Sequence, residues 1–256
     1  MKRIIPVVLF LFLICQLADA QQRLWRRYRY EVVASAGMSQ FFGDVGGYTQ
    51  GENALGFKDF IINQTSYNVN GQLKYRIIER VTARVSFTYG SLHASDEKGS
   101  NEGRGYEATT SIFEPALMAE YYIKKSQNMN SYLYQRGRKS RFGNFLSTMD
   151  VYAFTGFGGL SYNVTPNEAL LERGLPTSGF TAIIPVGVGV NISMSRDYNL
   201  GLELGGRYAF SDYLDGYTSQ YSKSNDVYYF LNFTFTYKIL TSGKTGLPQF
   251  MTRKRR

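Results

Sequence analysis

From Tyr28 onward the chain alternates apolar and polar positions with a period of two, and the alternation recurs in eight segments. Period two places successive side chains on opposite faces of a strand. The segments are Tyr28–Met38, Tyr67–Ile77, Val81–Ser91, Ile112–Ile123, Asp150–Tyr162, Thr181–Ser193, Tyr198–Phe210 and Tyr228–Ile239. Each is long enough for a tilted strand to cross a bilayer, which takes ~9–11 residues. The second sets Val69, Gly71, Leu73, Tyr75 and Ile77 against Asn68, Asn70, Gln72, Lys74 and Arg76. The eighth sets Tyr229, Leu231, Phe233, Phe235 and Tyr237 against Asn232, Thr234, Thr236 and Lys238. The fifth is the least regular: Tyr152, Phe154, Leu160 and Tyr162 share a face with two glycines.

Alternation alone suits a soluble sandwich as well as a membrane barrel. The charges separate them. Glu31, Lys74, Arg76, Arg84, Glu114, Glu120, Glu203 and Arg207 all fall on the less apolar faces. A barrel in lipid turns its apolar face outward and keeps a polar interior. The predicted fold is therefore all-β, an eight-stranded antiparallel transmembrane β-barrel with a filled lumen. A secreted soluble barrel is the alternative. Eight strands enclose a space that side chains just fill. Buried charges must be paired there, so Glu31, Arg84, Glu114, Glu120, Glu203 and Arg207, with Lys74 and Arg76, are expected to form a salt-bridge network rather than a channel.

The chain ends add a destination. Lys2 and Arg3 precede an apolar run from Ile4 to Leu17 and an Ala18-Asp19-Ala20 site, the pattern of a signal peptide over residues 1–20. Cys15 raises a lipoprotein reading, but Ile14 stands where such a site wants a small residue. The barrel is expected over 21–239, followed by a basic tail over 240–256. With one cysteine and one histidine in the chain, no disulfide, no metal site and no cofactor is expected. Tyr and Phe number 21 and 18 against one Trp, and no later stretch is apolar over the ~18 residues that a spanning helix needs. That composition favours a membrane barrel over a soluble enzyme.

Connections sort the two ends. Ile78-Glu79-Arg80 and the turn around Arg196-Asp197 are short, whereas long connections follow segments one, three, five and seven. Long loops face outside and short turns the periplasm, so the expected location is the outer membrane with both termini periplasmic. One connection on the periplasmic side is nevertheless long, an extended turn over 124–149. It carries Lys124, Lys125, Arg136, Arg138, Lys139 and Arg141 and no acid. The tail adds Lys244, Arg253, Lys254, Arg255 and Arg256, and the segment before Tyr28 adds Arg23, Arg26 and Arg27. The four outer loops instead hold twelve acids against five bases. The formal charge of +9 thus hides two opposite ends. A basic face suits an anionic partner such as lipid headgroups or an acidic protein surface. Nucleic acid is scarce in the periplasm and no nucleic-acid partner is expected. The plainer reading of the charge is orientation and solubility beside the membrane. Lys124, Lys125, Arg136, Arg138, Lys139, Arg141, Arg253, Lys254, Arg255 and Arg256 are the candidate partner-binding residues.

Three motifs bear on chemistry. FFGDVGG, residues 41–47, lacks the lysine of a phosphate-binding loop and reads as the first strand leaving the membrane, with Phe41 and Phe42 at the outer interface. His93 and Ser95 would share a strand face and are parts for acyl hydrolysis, as in outer-membrane lipid deacylases, but they fall on a loop beyond segment three. Thr165-Pro166-Asn167-Glu168 before ALLERG reads as a capped short helix ended by Gly174, and Gly56–Asn63 as a second.

The stretch RYEVVASAGMSQFFGDVGG, through Tyr30-Glu31, Gly37, Phe42-Gly43-Asp44 and Gly46-Gly47, resembles small outer-membrane barrels of Bacteroidota, the PorG-like proteins of the type IX secretion system. That resemblance implies a non-enzymatic part with no small-molecule substrate. It would hold a periplasmic ring of PorK-like and PorN-like proteins to the outer membrane, in protein secretion and gliding motility. The chain departs from many outer-membrane barrels in carrying a basic tail after its last aromatic strand.

Overall fold

A computed structural model describes residues 25–43, 45, 64–96, 102–126, 149–217, 225–242 and 246–252. The leader, the bases from Arg136 to Arg141, Lys244, Arg253–Arg256 and the Gly56–Asn63 helix lie outside the described residues.

Eight antiparallel strands close on themselves in sequence order. They are β1 (Tyr30–Phe42), β2 (Ser66–Arg76), β3 (Val81–Ser95), β4 (Glu107–Lys124), β5 (Met149–Pro166), β6 (Ser178–Ser193), β7 (Tyr198–Ala209) and β8 (Val227–Ile239). The seam pairs β1 with β8 from Tyr30 opposite Ile239 to Phe42 opposite Val227. Closure leaves no free edge, so every strand finds partners on both sides.

The side chains are sorted inside out. Val69, Leu73, Phe87, Leu117, Phe157, Leu204 and Phe233 are exposed on the outer wall, Phe157 by 74%. Lys74, Arg84, Glu114, Glu120 and Glu203 are buried within. Water would penalise such a wall, whereas a bilayer matches it. Aromatic pairs sit at both rims. Tyr30 with Tyr75 and Tyr198 with Tyr237 lie near the short turns, and Phe42 with Tyr229 and Tyr208 with Phe210 near the long loops. The chain is a transmembrane β-barrel.

The strands outrun the predicted segments at the long-loop end. β4 and β5 each reach 18 residues, well beyond the ~9–11 that span hydrocarbon, and β3 pairs with β4 out to Ser95 opposite Glu107. His93 and Ser95 are thus on a strand, not a loop. Polar residues can continue a ladder once it leaves lipid, because pairing needs only backbone groups.

β5 is irregular for a physical reason. Pro115 in β4 and Pro185 in β6 flank it, and neither has an N–H to donate. Pairing lapses between Phe113–Ser161 and Ala116–Gly158 on the β4 side and between Thr155–Val186 and Gly158–Ile183 on the β6 side, with the register kept across both gaps; the β4–β5 register shifts instead between Tyr122 and Lys124. The face of β5 that holds Tyr152, Phe154, Leu160 and Tyr162 turns into the lumen, where all four are buried. Gly187 and Gly189 of β6 make room for it. A Cβ at Gly189 would lie 2.3 Å from the Tyr152 ring, and one at Gly187 2.4 Å from the Phe154 ring.

Two predicted details shift. Tyr28 precedes β1 and is buried with its hydroxyl on Asp197 at 3.2 Å, rather than facing lipid. Phe41 turns inward and is buried, leaving Phe42 alone at the rim. The third long loop does hold a helical turn, α1 (Glu168–Leu171). Its cap is Asn167, whose side chain accepts from Leu170 N at 3.1 Å, while Pro166 still belongs to β5. Gly174 takes a φ of 65° beyond it, the left-handed conformation expected after a helix.

Candidate functional site

The lumen is filled in layers. At the short-turn mouth Arg76 donates to Glu31 at 2.5 Å, and its guanidinium lies over the Tyr122 ring. Lys125, just past β4, donates to the Glu79 carbonyl at 2.7 Å and sits over the same ring. Ser126 N donates to Asp150 at 2.6 Å. The start of the long turn is thereby stitched across the mouth. Burial, with Arg76 nearby, holds the Lys125 ammonium down at about 8.

Midway lies a four-charge cluster. Lys74 reaches Glu120 at 2.7 Å and Glu203 at 3.5 Å, and Arg84 reaches both carboxylates at 2.9 Å. Tyr152 donates to Glu203 at 2.6 Å, and Gln72 bridges Arg84 and Glu203. The Arg84 guanidinium lies 4.1 Å from the Phe154 centroid, and Lys74 faces Tyr152. Two cations meet two anions, so the cluster is neutral, as a desolvated group must nearly be. Above it Arg207 pairs with Glu114 at 3.4 Å, Tyr228 donates to Glu114 at 2.8 Å, and Arg207 lies 4.2 Å from the Phe230 centroid.

The lumen is not salt bridges throughout. Its long-loop end is an apolar core of Phe41, Leu92, Ile112, Leu160, Ile183 and Leu214 with their neighbours. Loop acids bind it down. Asp215 accepts from Val45 N, Asp226 accepts from Leu214 N, and Asp96 takes Arg104 through both oxygens at 3.0 Å. These three acids are buried, so they do not contribute to an acidic outer surface. Desolvation alone would lower the Arg104 pKa, but the hydrogen bond and charge of Asp96, together with Tyr217, outweigh it and raise the value. Inward aromatics and the apolar cap were the residues missed by pattern. Their signal was aromatics in phase with glycines on β5.

At the short-turn end the exposed bases among the described residues include Arg26, Arg27, Arg80, Lys124 and Arg196. Lys125 belongs to the mouth instead, half-buried. The chain after β8 folds back on the chain before β1. Thr241 donates through N to Arg27 O at 2.7 Å and through its hydroxyl to Arg26 O at 2.5 Å.

His93 and Ser95 stand on the outer face of β3, both half-buried. His93 Nδ1 is 3.2 Å from the Thr109 hydroxyl, and Nε2 is 3.7 Å from Glu107. The neighbours of the imidazole thus come from β4.

Within the chain itself, an apolar wall, a neutral charged interior and an apolar plug make an outer-membrane type of barrel. The profile of the family described as a domain of unknown function, DUF6089, matches residues 2–244. The chain belongs to the DUF6089 family. That span takes in all eight strands. No curated protein matches it. Solved structures similar to this DUF6089 chain include the N-terminal β-barrel domain of Pseudomonas aeruginosa OprF, at 10% identity and a TM-score of 0.43, covering 82% of this chain and 98% of that one. Neisserial surface protein A shows 12% identity and a TM-score of 0.42, covering 82% and 96%. Ail, the attachment invasion locus protein of Yersinia pestis, shows 10% and 0.40, covering 83% and 98%. Likenesses at this level carry no inference about function.

Proposed function

We propose that this chain is a non-enzymatic outer-membrane component of a type IX protein secretion machinery, serving gliding as well, and that it anchors a periplasmic ring of PorK-like and PorN-like proteins through its basic short-turn face. The observation that carries the reading is the filled lumen. Arg84, Tyr122, Tyr152, Tyr228, Phe230, Leu92, Leu160 and Ile183 are among its fully buried side chains. A barrel filled in this way acts by its surfaces, not by passage. Of the two ends, the short-turn end offers exposed Arg26, Arg27, Arg80, Lys124 and Arg196. The same end gives rise to the turn with Arg136, Arg138, Lys139 and Arg141 and to the tail with Arg253, Lys254, Arg255 and Arg256. A barrel needs neither segment to cross a membrane. Both termini lie in the periplasm in this arrangement. Outer-membrane lipid and the ring are its partners; it takes no cofactor, metal, nucleic acid or small-molecule substrate.

Replacing Arg136, Arg138, Lys139 and Arg141 with glutamate tests the reading. Secretion should be lost while the barrel still migrates as a compact folded band in unboiled detergent gels. Wild-type secretion by a folded, charge-reversed barrel removes the anchoring role.

A second reading has its own support. β3 to β6 rise past the membrane at the long-loop end, a platform that suits a passive envelope or adhesion barrel, and such a barrel would tolerate the charge reversal. A lipid hydrolase would instead require His93 and Ser95. The His93 ring lies beside Thr109 and Glu107 of β4.

A further inference from the structure

The segment after β8 has features that crossing the membrane does not require. Thr241 bridges to Pro248, Ser242 N donates to Leu247 O, and Gln249 N donates to Leu240 O. A short helical turn, α2 (Gln249–Thr252), follows. This compact hairpin nevertheless leaves Leu247 46%, Phe250 65% and Met251 66% exposed. Folding that concentrates apolar side chains on the surface needs an occupant to cover them.

The placement of the hairpin points to lipid. Gly246 lies against Arg29, with an added Cβ 3.8 Å from Nη1. Arg29 in turn donates to the Tyr75 hydroxyl at 3.2 Å, and the Tyr75 ring packs against Tyr30 in a tilted pair. Tyr30 and Tyr75 belong to the aromatic rim of the lipid-facing wall, so the hairpin is continuous with the membrane surface of the barrel. Its neighbours are cationic: Arg26 and Arg29 both lie over the Trp25 ring, at 5.6 and 5.1 Å. Arg26 and Arg27 are exposed where their carbonyls hold Thr241. Apolar side chains beside arginines and a tryptophan at a membrane rim match the two halves of a phospholipid, acyl chain and phosphate.

We propose that residues 240–242 and 246–252 form an interfacial foot that lowers Leu247, Phe250 and Met251 into the leaflet at the short-turn end, with Arg26, Arg27 and Arg29 on anionic lipid phosphates. The foot holds the start of the basic tail at the membrane surface. It rests on the membrane reading of the wall and not on the secretion role, so either proposal can fail alone.

The chain's one tryptophan makes the test direct. Full-length Trp25→Phe/Phe250→Trp protein is folded into phosphatidylcholine vesicles containing phosphatidylglycerol, with and without lipid brominated close to the headgroup. The indole introduced at position 250 should emit at short wavelength and lose about half its intensity to bromine, as an interfacial side chain does. Trp25→Phe/Phe157→Trp provides the lipid-facing reference. Emission at the wavelength of indole in water, unquenched, overturns the foot. Shielding that appears only when periplasmic protein is added overturns lipid as the occupant. Removing phosphatidylglycerol, or changing Arg26 and Arg27 to Gln, should weaken the quenching; unchanged quenching in both overturns the phosphate contacts. If Phe250→Trp prevents folding, an environment-sensitive dye on Met251→Cys in a Cys15→Ser background reads the same insertion.

Discussion

Replacing Arg84 with methionine should unfold the barrel far more readily than any change on its wall. Arg84 is 1% exposed and reaches Glu120 and Glu203 at 2.9 Å each. At an effective dielectric near 20, each such contact is worth roughly 5–6 kcal/mol of attraction. Desolvation of each buried ion costs several kcal/mol, so the intact cluster stands close to balance. Without Arg84 that balance is lost. Lys74 alone faces two carboxylates, and one negative charge is left uncompensated in the lumen. The expected loss is about 3–5 kcal/mol. A second change, Glu203→Gln, restores neutrality. Lys74 keeps Glu120 at 2.7 Å, and the new amide oxygen can still accept from Tyr152. The double variant should therefore be more stable than the single, with a coupling of about 1.5–3 kcal/mol. Urea unfolding in phospholipid vesicles, followed by Trp25 fluorescence and gel mobility, measures all four corners of the cycle. An Arg84→Met barrel within about 0.5 kcal/mol of wild type, or strictly additive losses, would refute the charge-balance account.

Other consequences follow from neighbouring layers. Leu160→Ala opens space in the apolar plug and should cost about 2–5 kcal/mol. Planar-bilayer recordings of it, as of wild type, should still show no steady channel, because the charged layers below remain; a steady conductance would contradict the plugged lumen. Gly187→Val has no room, with a Cβ 2.4 Å from both Leu204 O and the Phe154 ring. It should abolish the compact band on unboiled gels, and a normal band would show that the wall yields there. Lys125 gives a pH signature. Its native value of about 8 lies below the ordinary 10.5, so the unfolded chain holds more protons between them and stability should rise with pH through that window. Lys125→Met should flatten the rise, and an unchanged profile would assign it to another group.

Much of the architecture could be read from the chain because lipid imposes a strict rule. Period two with charge confined to one face gives strand number, order and inside-out sorting, and it brings Glu31, Arg84, Glu114, Glu120, Glu203 and Arg207 to the lumen. It fails where that contrast disappears. Tyr152 and Phe154 are aromatic like the lipid-facing residues, and what holds them inward is tertiary: their rings meet Lys74 and Arg84, Tyr152 donates to Glu203, and Gly187 and Gly189 leave room for both. Phe41, Leu92 and Leu160 form a plug in the long-loop end of the lumen, where both faces of a strand are apolar and the contrast between them is lost. Asp96, Asp215 and Asp226 counted as surface charge by sequence and are buried loop anchors instead. Long-range hydrogen bonds such as Val45 to Asp215 leave no trace in local pattern. The bases at 136–141 and 253–256, which we propose for docking, are legible as charge alone, since charge density is a property of sequence while its partner is not.

The central claim is that the short-turn face holds a periplasmic ring. The direct measurement is affinity capture of the full-length barrel from detergent-solubilised outer membrane, beside the variant carrying glutamate at Arg136, Arg138, Lys139 and Arg141. Wild type should bring down a periplasmic ring assembly as its main companion, and the variant should come down without it. A wild-type barrel recovered alone, or a ring retained equally by both, would contradict the account.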